Sequence, residues 1–154
     1  VSIAGLLTRG ATHVYTMSKH AALSISESLV AQLAALDASI SVSILCPGFV
    51  DTSLAQSDTV APRGIQALRE EDGETAVFGD MRAHFEASIR NGMSPDDVAD
   101  AAIAGVRAGR TYILTHPEYG DLAKSRVADI VDTGRLDTYM DAYRAFAARQ
   151  VADE

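Results

Sequence analysis

From about Val14 to Leu36 an apolar residue returns at every third or fourth position: Met17, Ala21, Ile25, Leu29, Leu33 and Leu36. That interval is the period of an α-helix with a continuous apolar stripe. Asp37-Ala38-Ser39 interrupts it. Ile40 to Cys46 then reads as a short buried strand, ended by Pro47-Gly48 because proline has no N–H to give to a ladder. Ahead of the helix, the apolar-to-small run Val1-Ser2-Ile3-Ala4-Gly5 reads as a strand leaving a sheet. Strand, helix and strand in succession predict a right-handed crossover in a parallel sheet. The stripe of Met17, Ile25, Leu29 and Leu33 is expected to pack on the sheet or on a partner helix.

Beyond Thr52 the pattern loosens. Pro62, Gly64 and the charged run Arg69 to Glu74 read as solvated turns, and a helix is expected from about Glu74 to Arg90. Its neighbourhood holds Leu54, Ile65, Leu68, Val77, Phe78, Met81 and Phe85. These either line a hydrophobic pocket or pack the helix on the sheet, and apolar residues at helical spacing are ordinarily core. Ser94-Pro95-Asp96-Asp97 is a helix start: a serine cap, proline at the first helical position and two carboxylates at the positive end of the dipole. That helix runs to about Arg107, and Gly109 is placed to end it. Thr111 to Leu114 reads as a last strand. One or two helices follow, broken near Thr133-Gly134, and Tyr139, Met140, Tyr143, Phe146 and Ala147 form a stripe that caps the sheet or meets a second subunit. No internal repeat, low-complexity segment or linker divides the 154 residues.

Chemistry enters at Tyr15-Thr16-Met17-Ser18-Lys19. Four residues apart on a helix, Tyr15 and Lys19 share a face, so the ammonium sits beside the phenol. A free tyrosine, with a pKa of about 10, exchanges protons poorly at neutral pH, and an adjacent cation favours the phenolate. The pair can therefore move a proton to or from a substrate oxygen, although two such residues also occur as an ordinary amphipathic pair. Three neighbours favour the chemical reading. Ser2 lies thirteen residues before Tyr15, Ser18-Lys19-His20-Ala21 continues into a small-residue helix, and Pro47-Gly48-Phe49-Val50-Asp51-Thr52 follows the next strand.

In Ser2, Tyr15, Lys19 and Pro47-Gly48-x-Val50-x-Thr52, in that order and spacing, the sequence resembles the short-chain dehydrogenase/reductase family. The resemblance implies an α/β fold, the C-terminal part of a Rossmann-type doubly wound parallel sheet with additional C-terminal helices. It implies NAD or NADP as cofactor and hydride transfer to or from an alcohol or carbonyl. Carried over, Tyr15 is the catalytic acid/base, Lys19 binds the nicotinamide ribose and lowers the tyrosine pKa, and Ser2 hydrogen-bonds the substrate oxygen. Pro47 and Gly48 belong to the cofactor-binding segment, in which Val50 and Thr52 match positions that hold the nicotinamide carboxamide. The region after Thr52 folds over the substrate in the family, and a dimer or tetramer is expected.

The sequence also departs from the family's pattern. No glycine-rich turn, which would offer a helix N-terminus to the pyrophosphate, occurs in it. The family's Asn-Ala-Gly turn and catalytic asparagine are missing, as is an initiator methionine. The chain is therefore expected to be a partial NAD(P)-binding domain over residues 1–154, its catalytic and substrate-binding portion, and inactive alone. The other reading is a non-catalytic binding or oligomerisation module that keeps the family's helices.

Composition narrows the remaining classes. Hydrophobic residues make up 47% and charged residues 22%, ordinary usage for one globular domain. Twenty-one acidic against thirteen basic residues give a net charge of -8, which disfavours nucleic acid as a partner. The single Cys46 has no internal disulfide partner and fits a reducing, cytoplasmic setting. No run of eighteen apolar residues and no basic-then-apolar leader is present, so no membrane segment is expected. His13, His20, His84 and His116 show no metal-ligand spacing, and none is expected to hold a metal. A hydrolase on Ser2 would ordinarily show Gly-x-Ser-x-Gly, which is absent.

Overall fold

Two short parallel strands, four named helices and a helical stretch over residues 84–90 carry the described residues. A computed structural model describes residues 1–8, 13–56 and 84–152. Helix α1 spans His13–Ala35. It closes with Asp37 in a left-handed conformation (φ 49°) and the Ala38 N–H donating to Leu33 O at 3.0 Å, a six-to-one closure that satisfies an end carbonyl. Strands β1, Ile44–Cys46, and β2, Tyr112–Leu114, pair in parallel with Leu45 opposite Ile113. Between them lies α2, Pro95–Arg107. Its start is the expected one: Ser94 Oγ accepts from Asp97 N–H at 3.1 Å and donates to the Asp97 carboxylate at 2.7 Å. Past its end, Gly109 is left-handed (φ 65°) and Arg110 N–H donates to Gly105 O at 3.0 Å. Helix α3, Tyr119–Ala128, runs into a single π-turn, Asp129–Thr133, and α4 spans Asp137–Ala152.

Three expectations are corrected. Residues 40–43 lie outside the strand, which begins at Ile44. Val1 to Gly5 does not form a strand; Ile3–Gly5 is a turn of 3-10 helix. Ser2 is extended (φ −175°, ψ 161°), and its hydroxyl oxygen accepts from Ala4 N–H at 3.2 Å, so the side chain caps the turn and draws the backbone out of a ladder. One strand-like bond survives, Ile3 N–H to Pro47 O at 2.9 Å.

The third correction concerns the sheet half of the expectation for the stripe on α1, and the partner-helix half stands as an expectation. Met17, Ile25 and Leu29 are exposed, along with Val14 and Leu36, while the buried residues of the helix are Thr16 and Leu23. The period is helical, but of the stripe only Leu33 is half-buried, and Met17, Ile25 and Leu29 are exposed. The inward face uses a threonine and one leucine because the 3-10 turn and β1 come close to it.

The described chain divides into two compact units, Val1–Gly48 with Ala101–Glu154, and Phe49–Asp100. In the first, Leu23, Ile44 and Cys46 form one buried cluster, and Ile3, Leu7, Tyr119, Leu122 and Tyr139 form another. Helix α4 packs Tyr143 and Phe146 onto the second cluster, which answers the cap-or-partner alternative for those two side chains. In the second unit Val50 makes a parallel bridge with Met93, and the Phe49 and Phe85 rings meet edge to face at 5.8 Å. Residues 84–90 are helical there, with Ile89 buried. The charged run and Ile65, Leu68, Val77, Phe78 and Met81 lie outside the described residues.

Candidate active site

Tyr15 and Lys19 stand one turn apart near the start of α1, as their spacing requires. The Lys19 ammonium lies over the Tyr15 ring, 5.2 Å from its centroid, within the range of a cation–π contact. Tyr15 remains 39% exposed, so its phenol is reachable from solvent. The helix turn beneath is tied locally: Ser18 Oγ donates to Tyr15 O at 2.7 Å, and His20 Nδ1 lies 3.0 Å from Thr16 O.

Ser2 is brought to this helix by its neighbours. It is 7% exposed, and besides accepting from Ala4 its Oγ lies 3.4 Å from Pro47 O, a long contact in which the hydroxyl donates. The weakness of that bond leaves the proton free to turn to a better acceptor. The 3-10 turn then packs on α1 through Gly5. A Cβ at this position would stand 2.9 Å from Lys19 O, so only glycine allows the Ser2 turn to approach the Lys19 backbone this closely.

Pro47 and Gly48 lie just past the carboxyl end of β1, and His116 lies two residues past the end of β2. The Gly48 N–H donates to His116 Nδ1 at 3.2 Å. A Cβ on Gly48 would meet the His116 ring at 2.8 Å. Sequence reasoning set His116 aside with the other histidines because no spacing linked it to a site 68 residues away. Gly5 was visible only as the end of an apolar run. Cys46, at the end of β1, is buried, and burial pushes its thiol pKa up, which keeps it in the unreactive thiol form.

Val50 and Thr52 belong to the Phe49–Asp100 unit. There Asp51 N–H donates to Met93 O at 3.0 Å and Met93 N–H to Phe49 O at 3.1 Å, which holds the backbone either side of Val50. Thr52 is exposed, and its Oγ1 accepts from Leu54 N–H at 3.4 Å. Among the described residues no group of three or more His, Cys, Asp or Glu is arranged to hold a metal ion. Among them, too, no helix is long and apolar enough to cross a membrane.

Residues 1–62 match the family model of short chain dehydrogenases. A short-chain dehydrogenase/reductase from Burkholderia phymatum, solved in complex with NAD, superimposes with a TM-score of 0.74 at 34% identity, covering 84% of this chain and 46% of that one. The chain belongs to the short-chain dehydrogenase/reductase family. A CLA biosynthesis dehydrogenase/reductase of Lactiplantibacillus plantarum is 30% identical over 139 residues, 90% of this chain and 49% of that protein. The 15-hydroxyprostaglandin dehydrogenase [NAD(+)] of Mus musculus is 26% identical, over 71% of this chain and 42% of its own. A putative short-chain dehydrogenase from Novosphingobium aromaticivorans shares the fold at 23% identity, with a TM-score of 0.58 over 99% of this chain and 44% of that one. The chain thus spans about half, or less, of the length of these relatives. The fold is the α/β, Rossmann-type parallel arrangement of this family, with its C-terminal helices.

Proposed function

We propose that the whole protein is an NAD(P)-dependent oxidoreductase that moves hydride between a nicotinamide cofactor and a secondary alcohol or ketone, with Tyr15, Lys19 and Ser2 as its working residues. The observation that carries this reading is the Lys19 ammonium over the Tyr15 ring on a helix held against the Ser2 turn. Bound NAD(P) would accept or supply the hydride. Tyr15 takes the hydroxyl proton in oxidation and returns it in reduction, and Ser2 donates a hydrogen bond to the same oxygen. Lys19 supplies positive charge beside the oxygen on which negative charge develops.

The residues present fit the nicotinamide end of the cofactor. Lys19 offers a cation for ribose hydroxyls, and Pro47-Gly48 sits at the carboxyl end of β1, where open parallel sheets bind ligands. Val50 and Thr52 keep the carboxamide-binding role that their motif positions imply. The 154 residues hold no glycine-rich turn for the pyrophosphate, so by themselves they are expected to bind the dinucleotide weakly and to turn over no alcohol. We read them as the catalytic and substrate-binding portion of one dinucleotide-binding domain, in a cytoplasmic enzyme. The exposed apolar face of α1, with Val14, Met17, Ile25, Leu29 and Leu36, is a surface for the rest of the domain or for a second subunit, and a homo-oligomer is kept as what the family resemblance implies.

In steady-state assays of the whole protein with secondary alcohols and ketones, Tyr15→Phe is expected to lower kcat by about 10²- to 10⁴-fold, the usual contribution of a positioned acid/base. Cofactor affinity should change little. Substantial turnover in Tyr15→Phe would remove Tyr15 from the acid/base role, whereas no turnover by the unsubstituted whole protein would favour the binding-module reading.

A further inference from the structure

The backbone that follows β1 is held by a side chain from the next strand's end. Gly48 N–H donates to His116 Nδ1 at 3.2 Å, and Thr115 Oγ1 stands 2.7 Å from the same nitrogen. A backbone N–H can only donate, so Nδ1 must be unprotonated and the ring's proton must sit on Nε2. Thr115, 8% exposed, can then only donate to Nδ1, whose single lone pair it would share with the Gly48 N–H. Sterics agree with the hydrogen bonds. The ring stands 2.8 Å from where a Gly48 Cβ would be, too close for any side chain at that position without a shift. Behind it, His116 meets the Tyr119 ring edge-on with centroids 6.1 Å apart, and Tyr119 meets Phe146 of α4 at 4.8 Å. The imidazole is braced from the C-terminal helix and presses on the turn.

We infer that His116 is a positioning residue for the cofactor: as the neutral Nε2–H tautomer it fixes the Pro47-Gly48 turn, and through it the start of the segment that takes the nicotinamide end. This rests on the proposed assignment of Pro47-Gly48 to the cofactor-binding segment. His116 itself touches no reacting atom in this scheme. Its effect appears in how well the turn is pre-formed for the ligand, and hence in cofactor binding more than in the chemical step.

Three substitutions and one spectroscopic reading test it in the whole protein. Long-range proton–nitrogen correlation of the His116 ring is expected to show Nδ1 unprotonated and Nε2 protonated. His116→Phe keeps an aromatic ring but gives Gly48 no acceptor, and should raise the KM for NAD(P) about tenfold with a smaller change in kcat. His116→Asn, whose side-chain oxygen reaches the place of Nδ1, should restore most of the affinity. Thr115→Val should leave the tautomer unchanged. An Nδ1–H tautomer in the wild type, or His116→Phe with wild-type cofactor KM, overturns the inference. If His116→Phe fails to fold, the tautomer and the His116→Asn affinity still decide. The catalytic reading fails separately: there Tyr15→Phe stays active, or the whole protein binds no dinucleotide, whatever the His116 ring shows.

Discussion

At position 5 a missing side chain sets how near the Ser2 turn comes to Lys19. Because a Cβ would stand 2.9 Å from Lys19 O, a backbone atom that cannot swing aside, Gly5→Ala must push the 3-10 turn away from α1. We expect it to cost about 1–3 kcal/mol, the range for overpacking a close contact, in urea denaturation. Turnover should fall as well, since Ser2 moves relative to Tyr15. An unchanged midpoint would mean that the turn and helix are not held together there. Tyr15 and Lys19 were legible in the sequence because one helical turn is a fixed interval, so spacing alone puts the two side chains together. Ser2, Pro47 and Gly48 were legible as a motif. The parts played by Gly5 and His116 were not, because each depends on an atom of a distant residue: Lys19 O for one, Gly48 N for the other.

At the scale of elements, α1 shows what periodicity can and cannot fix. Its length was readable to within about one residue at each end, because the apolar interval and the Asp37 break are local. Which face meets the sheet was not. The inward residues are Thr16 and Leu23, with Leu33 half-buried, while Met17, Ile25 and Leu29 of the stripe are exposed. The same helix is joined to β2 by a hydrogen bond from the Tyr112 hydroxyl to the Glu27 carboxylate. That bond, and then burial, push the Tyr112 pKa up from its ordinary 10 to about 12. A raised acid pKa means that the fold favours the neutral phenol. The stabilisation is complete below pH 10 and is lost as pH rises toward about 12, when a phenolate would face Glu27. Melting temperature should therefore fall more steeply over this window in the wild type than in Tyr112→Phe. The difference should be small, since Tyr112 is 39% exposed. Parallel curves would remove the bond from the account.

Across the whole described fold, the ends of the chain are joined by a fully buried tyrosine. Tyr139 of α4 donates from its hydroxyl to Thr8 O at 2.6 Å and accepts from Thr8 N–H at 3.0 Å, across 131 residues. Its own N–H donates to the buried carboxylate of Asp129 at 2.8 Å, which caps α4 from the π-turn. Tyr139→Phe preserves the ring and removes both bonds to Thr8, leaving two backbone groups without these partners. We expect a loss of about 1–3 kcal/mol by chemical denaturation. A loss below a few tenths would show that water replaces the hydroxyl. From the sequence, Tyr139 was one member of an apolar stripe, and nothing local distinguishes a core tyrosine that clamps a distant loop from one that fills space. The central claim concerns Tyr15, and single turnover tests it most directly, because product release cannot then mask the chemical step. The whole protein, loaded with oxidised cofactor, is mixed with a secondary alcohol carrying deuterium on the carbinol carbon, and nicotinamide absorbance is followed. The account predicts slower transfer than with the protiated alcohol, and in Tyr15→Phe a rate about 10²- to 10⁴-fold lower at saturating cofactor. Hydride transfer at the wild-type rate in Tyr15→Phe would contradict it.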